Sequence, residues 1–213
     1  MTIGPLPNSN WCKRIAAVLF CLLGSVGGPM TWAAADDTAG AIESRAWDLA
    51  QLMRELGQVS QAYARFTEEK YSSLLEKPLI LTGTLHYSAP TRVEKDIRSP
   101  FRERYVVEGD TLLIENSEGE RTLSLRKYPV VWGLVESFRA TLSGDLETLQ
   151  SFYETRLYGD RNNWRLELVP RDEDLNASLE SIYIEGSGRH ITRIDIREVG
   201  GDHSRISIHP DPS

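Results

Sequence analysis

The sequence predicts a mainly β fold of the α+β class: a strongly curved antiparallel sheet with a helical lid. Three observations predict it. Most of the chain consists of short segments in which apolar and polar residues alternate with a period of two, the pattern of half-buried strands. Turn sequences such as Gly109-Asp110 and Gly200-Gly201 connect these segments closely, as in antiparallel meanders. Helical periodicity is confined to two stretches.

The N-terminal segment has the three regions of a secretory signal peptide. Two basic residues, Lys13 and Arg14, precede an apolar stretch at residues 15–26, and three alanines then stand directly before the first acidic residues. The alternative is a transmembrane anchor, but the apolar stretch is shorter than the ~20 residues that a spanning helix needs. We therefore expect a cleaved signal peptide over residues 1–35 and a single domain over residues 36–213.

The predicted mature domain is acidic and contains no cysteine. Cys12 and Cys21 both lie in the signal peptide, which argues against a disulfide framework, a thiolate nucleophile or a cysteine metal site. The formal net charge of −7 becomes −9 once Lys13 and Arg14 are removed. Such a domain repels phosphate backbones and anionic membranes, so we expect no nucleic-acid partner. We expect a partner to be bound through apolar surface instead.

Residues 41–56 form one predicted amphipathic helix. Ile42, Leu49 and Met53 share an apolar stripe, and charged residues occupy the other faces. Gly57 is the expected left-handed residue that ends this helix.

The predicted strands fall into two groups. The first group lies at residues 79–87, 101–107, 111–116 and 123–125. The second group lies at residues 164–168, 182–184, 192–197 and 206–208, with Thr192 on the same face as Ile194. Pro90 ends the first strand because proline cannot donate to a ladder. In total the pattern indicates roughly nine to eleven strands.

A helical insert separates the two groups of strands. Pro129 suits a first helical position, Gly144 suits the end of the helix, and a shorter helix follows over residues 145–152. The predicted lid is the apolar face of this insert: Val131, Trp132, Leu134, Val135 and Phe138. A core helix that never moves is an equally open interpretation of the same pattern.

The strands present more apolar surface than one helix and one insert can cover. The sheet is therefore expected to curl on itself, and a barrel of more than eight strands has room inside. Either a guest molecule or the helices themselves could fill that room. The predicted ligand-binding residues are the apolar side chains of this interior: Leu85, Tyr87, Tyr105, Leu112, Ile114, Trp132, Leu134, Val135, Phe138, Trp164, Leu166, Leu168, Ile182, Ile184, Ile194 and Ile196.

Enzyme motifs are not found in the sequence. Asp202-His203-Ser204 has the composition of a catalytic triad, but neighbours on a strand point to opposite faces, so turn polarity is the better interpretation. No nucleophile elbow, paired-histidine zinc motif or phosphate-binding glycine loop occurs. The acidic residues 172–176 lack the spacing of a calcium loop. We expect no catalytic residue, no metal and no cofactor.

Residues 49–87 have the core Val59-Ser60-Gln61-Ala62-Tyr63-Ala64-Arg65-Phe66-Thr67-Glu68-Glu69-Lys70. This stretch resembles the start of the outer-membrane lipoprotein carrier family, LolA. Tyr63 and Phe66 approximate its Phe-x-x-x-Phe-[Thr/Ser]-Gln signature. The next strand matches a Gly-x-Leu-x-[aromatic]-x-x-Pro pattern through Gly83, Leu85, Tyr87 and Pro90. The strand at residues 164–170 is also similar, and the order of elements agrees over nearly the whole mature chain. Where the family has a lid-gating arginine before the proline, this chain has Ala89.

The resemblance implies an incomplete antiparallel β-barrel with a helical lid. It also implies a periplasmic, non-catalytic carrier or chaperone. It would hold acyl chains of a lipoprotein or another lipid and shuttle them from the inner to the outer membrane. The implied partners are this cargo, an inner-membrane exporter and an outer-membrane acceptor, and a monomer is expected. Two alternatives are a lipid-sensing regulatory module on the same fold and a small ester hydrolase.

Overall fold

The computed structural model describes residues 47–210. The predicted signal peptide and the first part of the predicted helix at residues 41–56 lie outside this range. The described helices are α1 (Leu49–Leu56), α2 (Pro129–Ser143), α3 (Leu146–Phe152) and the short α4 (Glu173–Asn176), with a 3-10 turn at Leu125–Lys127 before α2. Among residues 47–210, no helix combines the length and apolar character that crossing a bilayer requires.

Eleven antiparallel strands form one sheet. They are β1 (Gln61–Tyr71), β2 (Leu79–Ser88), β3 (Arg92–Ser99), β4 (Glu103–Glu108), β5 (Thr111–Asn116), β6 (Gly119–Ser124), β7 (Tyr153–Asp160), β8 (Asn163–Pro170), β9 (Leu179–Ser187), β10 (His190–Glu198) and β11 (His203–Pro210). The spatial order is β6-β5-β4-β3-β2-β1-β11-β10-β9-β8-β7.

The sheet consists of two meanders joined at their centre. The chain moves outward from β1 to β6, crosses back through α2 and α3, and returns from β7 to β11, which pairs with β1. Among the described strands, β6 and β7 each have a single neighbour, so the sheet is curved and open rather than a closed barrel. This confirms the predicted fold class.

Three strands, β1, β3 and β7, were missing from the predicted segments, and one segment was assigned wrongly. β3 and β7 were not predicted, because Lys95 interrupts the apolar face of β3 and most of β7 is exposed at the sheet edge. Phe101 was predicted to begin a strand, but β4 begins at Glu103 and Phe101 is exposed.

The prediction that Thr192 lies on the same face as Ile194 was wrong, because β10 contains a β-bulge. The register of β10 against β9 shifts between Ile191 and Arg193, so two consecutive residues, Thr192 and Arg193, are exposed. Ile191 occupies the buried face instead. A bulge inserts one residue into the ladder and reverses the phase of alternation, which strict period-two counting cannot anticipate.

Gly57 was predicted to end the first helix in a left-handed conformation, and the predicted conformation was wrong. Gly57 is right-handed, with φ of −64°, and the left-handed helix-ending residue is Gly144 at the end of α2, with φ of 73°. A Cβ on Gly57 would lie 2.7 Å from the carbonyl oxygen of Ser143, and a Cβ on Gly144 would clash with the carbonyl oxygen of Met53. Both glycines are needed because the C-terminal ends of α1 and α2 touch through their backbones.

Candidate functional site

The apolar face of the sheet is the candidate functional site. Fifteen of the sixteen predicted residues are at most 6% exposed, and all fifteen belong to one continuous hydrophobic cluster. The sixteenth, Trp132, is partly buried and packs against the same cluster. Burial alone does not separate residues that would contact a guest from residues that only pack, so the predicted ligand-binding role of these side chains stays a prediction.

Strand pairing arranges the apolar side chains in rows that cross the sheet. In one row, Leu166, Ile184, Ile194 and Ile206 lie directly opposite one another on β8 to β11. Because directly paired residues point to the same face, these four side chains form one continuous apolar surface. Three of the sixteen predicted residues, Leu166, Ile184 and Ile194, come together in this row.

The same row continues onto a charged residue. Ile206 pairs with Glu68 of β1, and Glu68 pairs with Leu81 of β2. A second row, on β2 to β5, contains another charge, since Leu85, Lys95, Tyr105 and Ile114 lie opposite one another. Two ionisable side chains therefore project from the apolar face, and neither was predicted.

Glu68 and Lys95 form a buried ion pair. The Nζ of Lys95 lies 2.6 Å from the Oε2 of Glu68, and each side chain is 1% exposed. The ammonium also lies 4.9 Å from the centre of the Phe66 ring, within cation–π range. Burying such a pair costs several kcal/mol per ion before the attraction is counted, so it is not explained by stability alone.

The phase of β1 could have revealed Glu68. Ala62, Ala64 and Phe66 are buried while Tyr63 and Arg65 face outward, and the next inward position is Glu68. Two adjacent glutamates are typical of a solvated acidic run, and only the phase of β1 separates the inward Glu68 from Glu69. For Lys95 the signal was the alternation of Val93 with Ile97, which places the lysine inward between them.

Several buried polar atoms near this face have no hydrogen-bond partner among the described residues. They include the Oε1 of Glu68, the Oγ of Ser204 and the phenolic oxygen of Tyr87. Burial raises the pKa of the Tyr87 phenol above its ordinary value, and the positive charge of Arg139 partly opposes this rise. Folded proteins leave few buried polar groups unpaired, so each of these groups calls for an explanation.

The helical cover consists of the 3-10 turn at Leu125–Lys127 and helices α2 and α3. Two arginines attach it to the β4–β5 turn. Arg139 of α2 donates to the carbonyl oxygen of Gly109 at 3.1 Å and to Glu136 at 2.7 Å. Arg126 donates to the carboxylate of Asp110 at 2.9 Å, and its guanidinium lies 4.9 Å from the centre of the Trp132 ring. These contacts connect the β4–β5 turn to the predicted lid.

In this conformation the helices and the sheet pack directly on each other. Three partly open cavities of about 500, 270 and 470 Å³ are formed by described residues, and of the sixteen predicted residues only Ile196 lines any of the three.

The triad-like residues engage separate neighbours. The carboxylate of Asp202 accepts hydrogen bonds from Ser72 Oγ at 2.8 Å and from the Ser73 amide at 3.0 Å. The His203 ring stacks on Tyr71, and Ser204 is buried on the apolar face. Their arrangement supports the turn interpretation over a catalytic one.

The acidic residues 172–176 form a helix start. Asp172 caps α4 by accepting from the amide of Leu175 at 3.1 Å. Within the described range, no group of three His, Cys, Asp or Glu side chains is placed to hold a metal ion.

The sequence over residues 41–209 matches the family described as outer membrane lipoprotein carrier protein LolA-like. The chain belongs to this family. The resemblance seen in the residues of β1, β2 and β8 is thereby confirmed. Comparison with curated proteins gives no match.

Solved structures of similar shape are distant in sequence. A LolA superfamily protein from Nitrosomonas europaea has 9% identity and a TM-score of 0.42, covering 76% of this chain and 93% of the other. MucB from a Pseudomonas aeruginosa MucA/MucB complex has 15% identity and a TM-score of 0.43, covering 76% and 56%. The lipoprotein LppX of Mycobacterium tuberculosis has 9% identity and a TM-score of 0.39, covering 78% and 96%. All three TM-scores are below 0.5, so the family match, rather than these structures, identifies this LolA-like chain.

Proposed function

We propose that this LolA-like protein is a secreted, periplasmic carrier that holds acyl chains of a lipoprotein or another lipid on the apolar face of its sheet. The observation that carries the proposal is the continuous row of Leu166, Ile184, Ile194 and Ile206 beneath a helical cover, in a chain of this family. The face is broad and apolar, as the binding of a long hydrocarbon chain requires.

The energetics of the cargo favour a covered apolar face. Exposing an acyl chain to water costs about 0.8 kcal/mol per methylene, hence roughly 12 kcal/mol for about sixteen carbons. A carrier must offset most of that cost and still release the chain at its destination. If binding requires the helical cover to move, part of the burial energy is spent on that movement, and affinity stays low enough for release.

Helix α2 is the proposed lid. Its inward residues Leu134, Val135 and Phe138 cover the apolar face, and Arg139 connects the helix to the β4–β5 turn. In the family an arginine before the strand-ending proline gates the lid, but this chain has Ala89 there. We propose that Arg139 and Arg126, which belong to the helical cover itself, hold the lid closed instead.

The remaining parts of the proposal concern location and partners. The signal peptide over residues 1–35 directs the mature chain, residues 36–213, to the periplasm as a monomer. There it receives cargo from an inner-membrane exporter and passes it to an outer-membrane acceptor, with no reaction of its own. The separation of Asp202, His203 and Ser204 among different neighbours supports a binding protein over a hydrolase.

Native mass spectrometry of the protein purified from the periplasm, followed by lipid extraction, tests this function. The expected result is a mass excess that denaturation removes and that extraction identifies as an acylated molecule. A matched sample unfolded, stripped of lipid and refolded should regain the mass excess on incubation with the extract. Cleavage of an added acyl ester by the protein, or the lack of any acylated molecule in both samples, would contradict the proposal.

A further inference from the structure

Three polar side chains, Glu68, Lys95 and Ser204, lie on the apolar face, and described residues do not satisfy all of their hydrogen-bonding groups. Glu68 is buried, and one of its carboxylate oxygens binds Lys95 while the other has no partner among the described residues. Ser204 is 1% exposed, and its hydroxyl is also without a partner. Ser204 lies one inward position along β11 from Ile206, the residue that pairs with Glu68. The two incomplete groups are therefore diagonal neighbours on one face.

Lys95 reaches Glu68 from two strands away along the sheet. Its position on β3 is opposite Leu85, whereas Glu68 is on β1, with β2 between them. Gly83 of β2 pairs with Phe66 and has no side chain, so the lysine stem can pass over this position. The Nζ ends above the Phe66 ring and beside Glu68. Within residues 47–210 it donates a hydrogen bond to Glu68, and an ammonium group has three hydrogens to donate.

We propose that Glu68, Lys95 and Ser204 form a polar subsite for the linkage group of a neutral acyl ligand, an acyl amide or a hydroxyl-bearing acyl ester. This inference rests on the proposed function, because it assumes that an acyl chain lies along the adjacent apolar rows. The free oxygen of Glu68 accepts an N–H or O–H from the ligand. Lys95 and the Ser204 hydroxyl donate to its carbonyl oxygen.

The charge balance of the cluster selects against free fatty acids. An ionised carboxylate would have to approach Lys95 beside the buried negative charge of Glu68, and like charges in a site of low polarity repel strongly. A neutral amide offers both a donor and an acceptor and adds no charge. The subsite therefore distinguishes an acyl chain that is still linked to its parent molecule from one that has been hydrolysed.

Displacement of a bound fluorescent acyl probe by dodecanamide, by monododecanoyl glycerol and by dodecanoate at pH 8 tests the selection. In the wild-type protein, both neutral compounds should bind about tenfold or more tightly than dodecanoate, a ratio equivalent to one good hydrogen bond. The variant Glu68→Met/Lys95→Met should bind all three compounds with nearly equal affinity. The matched control Asp96→Asn/Arg98→Met removes an exposed ion pair of β3 and should keep the wild-type ratio.

A second variant keeps the test decisive if the double methionine variant does not fold. Glu68→Gln retains a hydrogen-bond partner for Lys95 but removes the negative charge, so dodecanoate should gain affinity relative to dodecanamide. Equal affinity of all three compounds for the wild-type protein, or an unchanged ratio in both variants, would overturn the subsite while leaving acyl binding intact. Failure of every acyl compound to bind any of the proteins would overturn the proposed function as well.

Discussion

The ammonium of Lys95 on β3 and the carboxylate of Glu68 on β1 meet at 2.6 Å inside the apolar face of the sheet. Neither group has another acidic or basic hydrogen-bond partner in the described range, so each depends on the other for charge compensation. Loss of one member should therefore lower the stability of the fold strongly, whereas loss of both members should lower it little.

The first prediction concerns the stability of this pair. Lys95→Met should lower the free energy of unfolding by about 3–5 kcal/mol, because it leaves the Glu68 carboxylate buried and unpaired. Glu68→Met/Lys95→Met should recover most of that loss, since an apolar pair of similar volume needs no compensation. Urea denaturation of the three proteins provides the measurement.

The control for this cycle is an exposed ion pair. Arg121 and Glu118 lie 3.2 Å apart with side chains 61% and 71% exposed, so Arg121→Met should cost less than about 1 kcal/mol. A Lys95→Met variant as stable as Arg121→Met would show that the Glu68 carboxylate is not held without compensation.

A second prediction concerns the contact between α1 and α2. Gly144→Ala should destabilise the fold by about 1–2 kcal/mol for the left-handed conformation, with a further loss from the clash with Met53 O. Gly109→Ala is the matched control, because Gly109 is also left-handed, with φ of 58°, but a Cβ there meets nothing within 4 Å. Equal losses in chemical denaturation would refute the close backbone contact.

The alternation of residues along the strands predicted a curved antiparallel sheet, although β1, β3 and β7 were not among the predicted segments. Leu166, Ile184 and Ile194 were placed on the buried face from period two alone, and they are buried there. The end of α2 at Gly144 followed from glycine chemistry in the same way. These features depend on local sequence, which a single chain displays directly.

Features that depend on tertiary contacts were not predictable. Gly57 was given a left-handed role because the close approach of Ser143 is not visible in sequence. Strand β3 was not predicted because Lys95 interrupts its apolar face. The partner that explains a buried lysine there, Glu68, is distant along the chain. The bulge at Thr192 changed the phase of β10 without a glycine or proline to signal it.

A third prediction concerns the pH dependence of stability. Hydrogen bonds from Arg104 hold the pKa of the Glu94 carboxyl below its ordinary value of 4.5, against the opposing effect of burial. The unfolded chain therefore binds a proton more readily than the folded one, and Glu94 stabilises the fold above about pH 4.5. This stabilisation is lost as the pH falls through the lowered pKa.

Glu94→Gln should therefore be less stable than the wild type at pH 7, by on the order of 1 kcal/mol because Arg104 is partly solvated. The difference should shrink to nearly nothing at pH 2 to 3 in thermal unfolding. Glu118→Gln, at an exposed position, should match the wild type at both values. A Glu94→Gln deficit that is constant with pH would mean that the charge of Glu94 contributes nothing.

A fourth prediction concerns the proposed lid. Arg139→Met removes the hydrogen bond to Gly109 and should increase amide hydrogen exchange in α2 several-fold, with β8 to β10 unchanged. Loading of an acyl probe should become faster in the same variant. Arg156→Met, which removes an exposed pair on β7, should leave both rates unchanged. Unaltered exchange in α2 of the Arg139 variant would exclude this arginine as the contact that holds the lid closed.

Quenching of Trp164 fluorescence by a brominated acyl chain tests the central claim most directly. Trp164 is 1% exposed and lies against Gly186 on the apolar face, and Trp47→Phe/Trp132→Phe leaves it as the single tryptophan of the mature chain. An acyl chain on this face should quench Trp164 with saturation, while the aqueous quencher acrylamide stays ineffective. Binding of the brominated chain without loss of Trp164 fluorescence would show that the cargo lies elsewhere and would contradict the account.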